Sequence, residues 1–301
     1  MIRLGYACVN RTLGCTTRSL RLATLRAQGV SYWQRLVDEN MDVLARILRW
    51  NREQHILVFR ISSDLIPLGS HAEADLTRLT FARAQEIAEL AQGMRLSMHP
   101  GQYTLPSASG RIWENSRRDL AYHAFLLERL GQARGDLILH GGGVYDNRAA
   151  SAGRIGANIS SLPEHIRRYL RLENDERCWS VRDLLPICEA TGTPLVVDNL
   201  HHRLNGEEPL SELPWSRILA TWRGQRPKLH YAEQDLSKRP GAHSEYLSAA
   251  DFRAFRRQVP LEDYDVMLEC KAKDLALLRL RADLAELEQA GASASADFPL
   301  S

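Results

Sequence analysis

Short apolar runs alternate with longer amphipathic stretches eight times along the chain. The runs fall at 2–8, 56–62, 94–100, 136–142, 171–175, 194–200, 227–232 and 264–270. Each is apolar on both faces and rich in Leu or β-branched residues, which suits strands buried in a parallel sheet. Between the first two runs, Leu36, Val37, Leu44, Ile47 and Leu48 recur at helical spacing and predict a helix over 33–53. Further helices are expected near 76–92, 114–132, 154–169, 180–191, 211–222, 249–258 and 272–290. Pro100-Gly101 forces a turn after the third run, and Ser248 can cap the helix that begins at 249. Eight βα units without a break in composition predict one domain, a closed (β/α)8 TIM barrel over 1–290. An open doubly wound sheet is the alternative, and it would spread the strand ends along an edge. The tail at 291–301 is small and polar and is expected to be disordered.

A parallel barrel collects the carboxyl ends of its strands at one mouth. In this chain those ends carry imidazoles and carboxylates: His99, His140, Glu173, Asp198, His201, His230 and Glu269. His243 follows the seventh run in the turn-rich segment KRPGAH, and His71 follows the second in LIPLGSH. One histidine at a strand end is ordinarily a hydrogen-bonded core residue. Acids and imidazoles on six strand ends are a different pattern, because several buried carboxylates demand compensating cations. Imidazole with carboxylate is a donor set for borderline divalent metals, so the pattern predicts a multi-metal site. Asp198 and His201 form D-x-x-H, a spacing that can turn the ring towards a neighbouring ion. His202 should point elsewhere. Lys228 and His230 are two apart and share a face of their strand. A lysine there must be neutral, paired with a carboxylate, or converted to a carbamate.

Composition adds limits. The chain has 301 residues, 44% hydrophobic and 25% charged, with a net charge of +2. No apolar stretch is long enough to span a bilayer, and the first ten residues lack a signal peptide's apolar core, so a cytoplasmic protein without membrane association is expected. Five cysteines without CxxC spacing argue against a disulfide framework or a thiolate zinc site. Arginine is concentrated at the start: residues 1–60 hold ten Arg against four acids. Arg grips phosphate through paired hydrogen bonds, which admits DNA as a partner. Gln102 and Tyr103, after the Pro-Gly turn, present an amide and an aromatic that could probe stacked bases. Tyr6 and Asn10 could reach the same space, and Arg60 within the second run needs a carboxylate or a phosphate.

The motifs LGYACVN, RISSDLIPLGSH, LSMHPGQY, LILHGGG, RLENDE, VVDNLHH, RPKLH, KRPGAH and VMLECK occur in that order between residues 2 and 271. In these the chain resembles the UV damage endonucleases, members of the xylose-isomerase-like barrels that also include endonuclease IV. The resemblance implies a TIM barrel with two or three divalent ions, expected to be Mn²⁺. It implies that His99, His140 and Glu173 serve one ion and that Glu173 bridges to a second, held with Asp198, His230 and Glu269. His201 and His243 would serve a third. By the same resemblance His71 is an additional active-site histidine, Lys228 is carboxylated, Gln102 and Tyr103 wedge into DNA at the lesion, and Tyr6 lies near the flipped bases. The implied activity is metal-dependent hydrolysis of the phosphodiester immediately 5′ to UV photoproducts and other distorting lesions in double-stranded DNA, leaving a 3′-hydroxyl and a 5′-phosphate. Glu173, Lys228 and His71 are the expected catalytic residues, and a monomer is expected. A sugar isomerase of the same superfamily, an amide hydrolase with a carboxylated lysine and a non-enzymatic damage-binding protein are the alternatives.

Overall fold

The computed structural model describes residues 1–145, 147–206 and 208–296. Eight parallel strands close into a barrel in sequence order: β1 (Ile2–Ala7), β2 (Val58–Ile61), β3 (Arg95–Met98), β4 (Asp136–His140), β5 (Leu170–Glu173), β6 (Leu195–Asp198), β7 (Lys228–Tyr231) and β8 (Tyr264–Leu268). Every expected strand is present; seven are shortened within their expected bounds, and β5 starts one residue earlier, at Leu170. The outer layer is helical: α1 (Leu22–Glu53), α2 (Ala84–Leu90), α3 (Gly110–Arg129), α4 (Arg148–Ser160), α5 (Glu164–Arg167), α6 (Val181–Thr191), α7 (Asn199–Asn205), α8 (Trp215–Thr221), α9 (Ala249–Gln258) and α10 (Asp274–Ala296). None of the described helices is long and apolar enough to cross a membrane.

The helix differences have local causes. Helix α1 starts eleven residues before the expected 33 and bends at Gly29, whose φ of 74° leaves the helical region. The expected helix 154–169 is two, α4 and α5, with Pro163 as the cap of the second. Helix α8 starts only after Pro214. Helix α7 was not expected; Asp198 caps it by accepting from the backbone N–H of His201 at 2.7 Å. Helix α10 continues to Ala296 and so overlaps the expected tail over 291–296. Residues 297–301 of that tail lie outside the described residues.

Register and the period of two sort the barrel interior into tiers. The lowest tier, at the amino ends of the strands, is ionic: Arg95, Asp136, Arg171, Lys228 and Asp265 are all buried. The middle tier is apolar and includes Val58, Ile138, Val196 and Met267. The upper tier holds Arg60, His140, Glu173, Asp198 and His230, with His140 registered on Glu173 and Asp198 on His230. Outward-facing strand residues pack on the helices in the main core, where Tyr6 lies edge-on to Phe59 at 5.0 Å and to Trp50 of α1 at 6.3 Å.

Candidate metal centre at the barrel mouth

Glu173 ends β5 and is buried to 1% exposure at the middle of the mouth. Around it stand three donor groups: His99, His140 and Glu173; Glu173, Asp198 and His201; and Glu173, His230 and Glu269. Within each group the ligand atoms lie within 4.8 Å of one another. His99 Nε2 is 3.3 Å and His140 Nε2 is 3.8 Å from Glu173 Oε2. His201 Nδ1 is 3.8 Å from Glu173 Oε1 and 3.7 Å from Asp198 Oδ1. His230 Nδ1 is 3.2 Å from Glu269 Oε1, and it donates to Glu173 Oε1 at 2.6 Å.

Apart from the direct hydrogen bond between His230 and Glu173, these separations suit ligands that share an ion. A tetrahedral site with bonds of about 2.1 Å has ligand-to-ligand edges of about 3.4 Å. The hydrogen bonding agrees. His99 Nδ1 donates to the carbonyl of Pro100 at 3.0 Å, which leaves the lone pair of Nε2 facing a carboxylate oxygen. Among the described residues, Glu173 Oε2 and Asp198 Oδ2 are buried and find no hydrogen-bond partner. Two buried electron pairs facing each other repel unless a cation lies between them. The residues therefore fit divalent ions.

Titration directions follow from the same crowding. Burial raises the Glu173 carboxyl, but His230 and His140 outweigh it and hold the group well below the usual range. Burial also raises Asp198, and Glu173 and Glu269 add to the rise against His201. Burial lowers His201, yet the surrounding Asp198, Glu173 and Glu269 carry it up to about 9. Burial depresses His140. The site is a concentration of negative charge that draws protons onto His201 and would draw a metal ion more strongly.

Local structure aims each group. Asn174 follows Glu173 and locks β5 to β6: its side chain accepts from Asp198 N at 2.8 Å and donates to Asp198 O at 3.2 Å. Its own carbonyl accepts from His201 Nδ1 at 3.0 Å. The next turn is wound around Asp175, which accepts from the backbone N–H groups of Arg177, Cys178 and Trp179. That turn places Glu176 Oε2 3.9 Å from His201 Nε2. His123 Nε2 meets Ser63 Oγ at 3.0 Å, and Ser63 donates to the carbonyl of His99 at 2.8 Å, so α3 steadies the end of β3. After His140, Gly141 packs under Trp179, where a Cβ would lie 2.4 Å from the ring.

The structure rearranges several sequence expectations. His201 groups with Glu173 and Asp198, whereas His243 stands apart from it, with Nδ1 3.8 Å from Glu269 Oε2. Asp198 lies with His201 rather than in the group of His230 and Glu269. His71 is not in any of the three groups; it is exposed, and its Nδ1 accepts from Glu73 N at 3.2 Å. Lys228 is fully buried in the lowest tier, beneath the apolar one, with Nζ 2.6 Å from Asp136 Oδ2. Two residues along a strand share a face but not a height. Tyr6 and Asn10 are fully buried and bonded to one another rather than open at the mouth: Tyr6 donates to Asn51 Oδ1 and accepts from Asn10 Nδ2, each at 2.8 Å. Tyr6 has the outward parity of β1, which turns it into the helix layer. Arg60 does lie at the mouth, but it is 8% exposed and ion-paired with Glu269. His202 points away, towards the carbonyl of Glu208 at 2.9 Å.

Gln102 and Tyr103 are exposed at the tip of the β3–α3 loop, Tyr103 at 78%. The loop behind them is anchored by Thr104 Oγ1, which donates to Asp119 at 2.5 Å, and by Leu105 N, which donates to Ser116 Oγ at 3.0 Å. A cleft of 430 Å³ runs from Gln102 past His99 and His140 to Glu176 and Cys178. Asn174, Glu176 and the Ser63–His123 pair were not singled out from sequence. Asn174 and Glu176 lie in the motif RLENDE, but nothing in a one-dimensional pattern says which polar residue brings a donor and which holds one.

A closed (β/α)8 barrel whose carboxyl-end mouth carries grouped imidazole and carboxylate donors defines a class of barrels whose mouth could hold divalent cations. Within that class, the chain belongs to the UV-endonuclease UvdE family, whose model matches residues 2–299. By that membership it is an endonuclease acting on DNA. It is 31% identical to the UV DNA damage endonuclease of Clostridium perfringens (strain 13 / Type A) over 306 residues, covering 96% of this chain and 72% of that protein. The crystal structure of SacUVDE matches with a TM-score of 0.85 and 32% identity, covering 96% of this chain and 99% of that one. Endonuclease IV from Thermus thermophilus shares the fold, with a TM-score of 0.57 and 18% identity over 81% of this chain and 95% of that one.

Asn174 acts through its neighbours, so Asn174→Ala should loosen Asp198 and His201 without removing a donor. The expected result is metal affinity lower by roughly 10–100-fold, read as metal retained per chain after dialysis. Unchanged retention would show that Asn174 has no positioning role.

Proposed function

We propose that this chain hydrolyses the DNA phosphodiester immediately 5′ to UV photoproducts and other distorting lesions in duplex DNA, leaving a 3′-hydroxyl and a 5′-phosphate. Two or three divalent ions, with Mn²⁺ the expected identity, are held by the donor groups that share Glu173. The observation that carries this reading is the convergence of those groups on one buried carboxylate, beside an exposed amide and aromatic. When bound, the ions supply a lowered pKa for attacking water and neutralise charge at the phosphate and the leaving oxygen.

The protein's own residues orient and exclude. Arg60 holds Glu269 by an ion pair and keeps that carboxylate turned to the mouth. His99 is kept in one tautomer by Pro100, so that its Nε2 presents a lone pair. His243, beside Glu269, is a further ligand or a contact to the scissile phosphate. His71, exposed on the loop after β2, is assigned to substrate contact at the rim rather than to a donor group. Recognition works through stacking. A crosslinked pyrimidine pair stacks poorly and costs less to unstack than intact DNA. Tyr103 and Gln102 then fill the gap, because an exposed aromatic can replace lost base stacking.

Lys228 has a separate part. Burial pushes its amine down to about 8 against the opposing pull of Asp136, so free amine is present near neutral pH. Free amine is the form that adds CO₂, and Arg95 and Arg171 stand beside the same Asp136 to balance a carbamate. Intact mass spectrometry in bicarbonate buffer should show a gain of one CO₂ that Lys228→Met abolishes; an unmodified mass throughout would reject carboxylation.

The decisive experiment incubates a duplex containing one cyclobutane dimer with the protein and Mn²⁺ and maps the ends. The expected product is a single nick directly 5′ to the dimer with 3′-hydroxyl and 5′-phosphate ends, lost on chelation and lost in Glu173→Gln. Cutting at full rate in chelator, or ends of another kind, would overturn the reading. Tyr103→Ala should lower the preference for damaged over intact duplex by roughly 10-fold or more, from the loss of about 1–3 kcal/mol of stacking, while metal content stays unchanged. A preference equal to wild type would remove Tyr103 from recognition.

A further inference from the structure

The opposite face of the barrel, at the amino ends of the strands, carries a second concentration of charge, and this one is positive. A cavity of 820 Å³ opens there, and seven of its twelve lining residues are arginines, with no acid among them. Arg95 and Arg171 form its floor and are buried. Arg3, Arg168 and Arg226 form its walls, and Arg134 and Arg223 stand exposed at its rim. We propose that this cavity binds a small, multiply charged anion of the oligophosphate type.

Charge accounting supports a resident anion. Behind the floor, Asp136 pairs with Arg95, Arg171 and Lys228, and Asp265 pairs with Arg3, Arg95 and Arg226. Glu128 lies 3.3 Å from Arg168, and Asp263 lies 3.6 Å from Arg226. Four carboxylates thus face the seven arginines, an excess of cations that a carbamate on Lys228 would narrow but not cancel. Among the described residues, neither Arg134 nor Arg223 has a carboxylate within salt-bridge distance. Arg223 rests over Gly192 at the C-terminal cap of α6. A net positive charge inside a concave, protein-walled cavity concentrates anions far more than the same charge on an open surface.

Geometry selects the kind of anion. The floor arginines are preorganised: Arg95 and Arg171 flank the indole of Trp222 at 5.3 and 5.5 Å and are tethered by carboxylates. The charge on Arg171 is held at a cost, since burial and the neighbouring Arg95 both lower its pKa. Guanidinium forks match phosphate oxygens two at a time, and several forks around one cavity match linked phosphates. A duplex carries its phosphates on a broad convex surface and cannot deliver them to buried side chains at the floor. The cavity is also distinct from the mouth, because Arg95 and Arg171 begin or lie early in the strands that lead to His99 and Glu173.

The test uses the metal-loaded full chain with inorganic tripolyphosphate, by calorimetry and thermal unfolding. Wild type should bind saturably and melt at a higher temperature with ligand, as expected for a ligand of the folded state. The double variant Arg134→Gln/Arg223→Gln removes two exposed, unpaired cations and should fold normally and nick lesion-bearing duplex as wild type does. Its affinity for tripolyphosphate should fall by roughly tenfold or more. Equal affinity in wild type and variant would mean that the anion is chelating ions at the mouth, and absence of binding by the wild type would mean that there is no such site; either result overturns the proposal. Displacement of tripolyphosphate from the wild type by an undamaged duplex would assign the cavity to nucleic-acid backbone and reject the small-anion reading.

Discussion

Glu173 is a wholly buried carboxylate that three donor groups share. An isolated anion at that depth would cost several kcal/mol, and Arg60 at the mouth is ion-paired with Glu269. The mouth therefore favours added positive charge, and much of the local architecture serves to hold imidazole lone pairs and carboxylates in close proximity. Asn174 bolts β5 to β6, Ser63 and His123 brace β3, and Asp198 doubles as the cap of α7. Each of these bonds fixes a donor's direction before any ion arrives, which is the arrangement that lets a cation bind without reordering the protein.

The barrel carries two opposite charge tiers separated by an apolar one. Val58, Ile138, Val196 and Met267 keep the acidic mouth and the arginine-rich floor from neutralising one another. Without that middle tier, the floor guanidiniums could reach Glu173 and Asp198 and compete with metal for them. Lys228 marks the boundary. It stands two residues before His230 on one strand, yet its partner is Asp136 and not the donors above.

On the proposed reading, chemistry falls to the rigid strand ends and recognition to the exposed loop tips. The donors sit on or next to strands, where packing determines position closely. Gln102 and Tyr103 sit on a loop whose base is anchored by Thr104 and Leu105 but whose tip is free. That division suits an endonuclease of DNA, because a phosphodiester needs ångström placement whereas a lesion must be probed by groups that can enter a stack.

Much was legible in the chain itself. Eight apolar runs, six of them ending in an imidazole or a carboxylate, determine eight strands and the roster of donors at their carboxyl ends, because burial on both faces and the turn residues beyond are written locally. Pro163, Pro214 and Gly29 also divide the helices, by rules that act within a few residues, although their effect was visible only once the helices were placed. Three things waited for the tertiary structure. Parity around β1 decided that Tyr6 faces α1 and not the mouth, height within the barrel decided that Lys228 belongs to the floor, and loop paths decided that His201 joins Asp198 while His243 stands by Glu269 and His71 stays outside. Sequence carries what each residue can do and how its neighbours bend the chain; which far-apart charges come within a few ångströms depends on how eight strands tilt and close, and no local pattern encodes that distance.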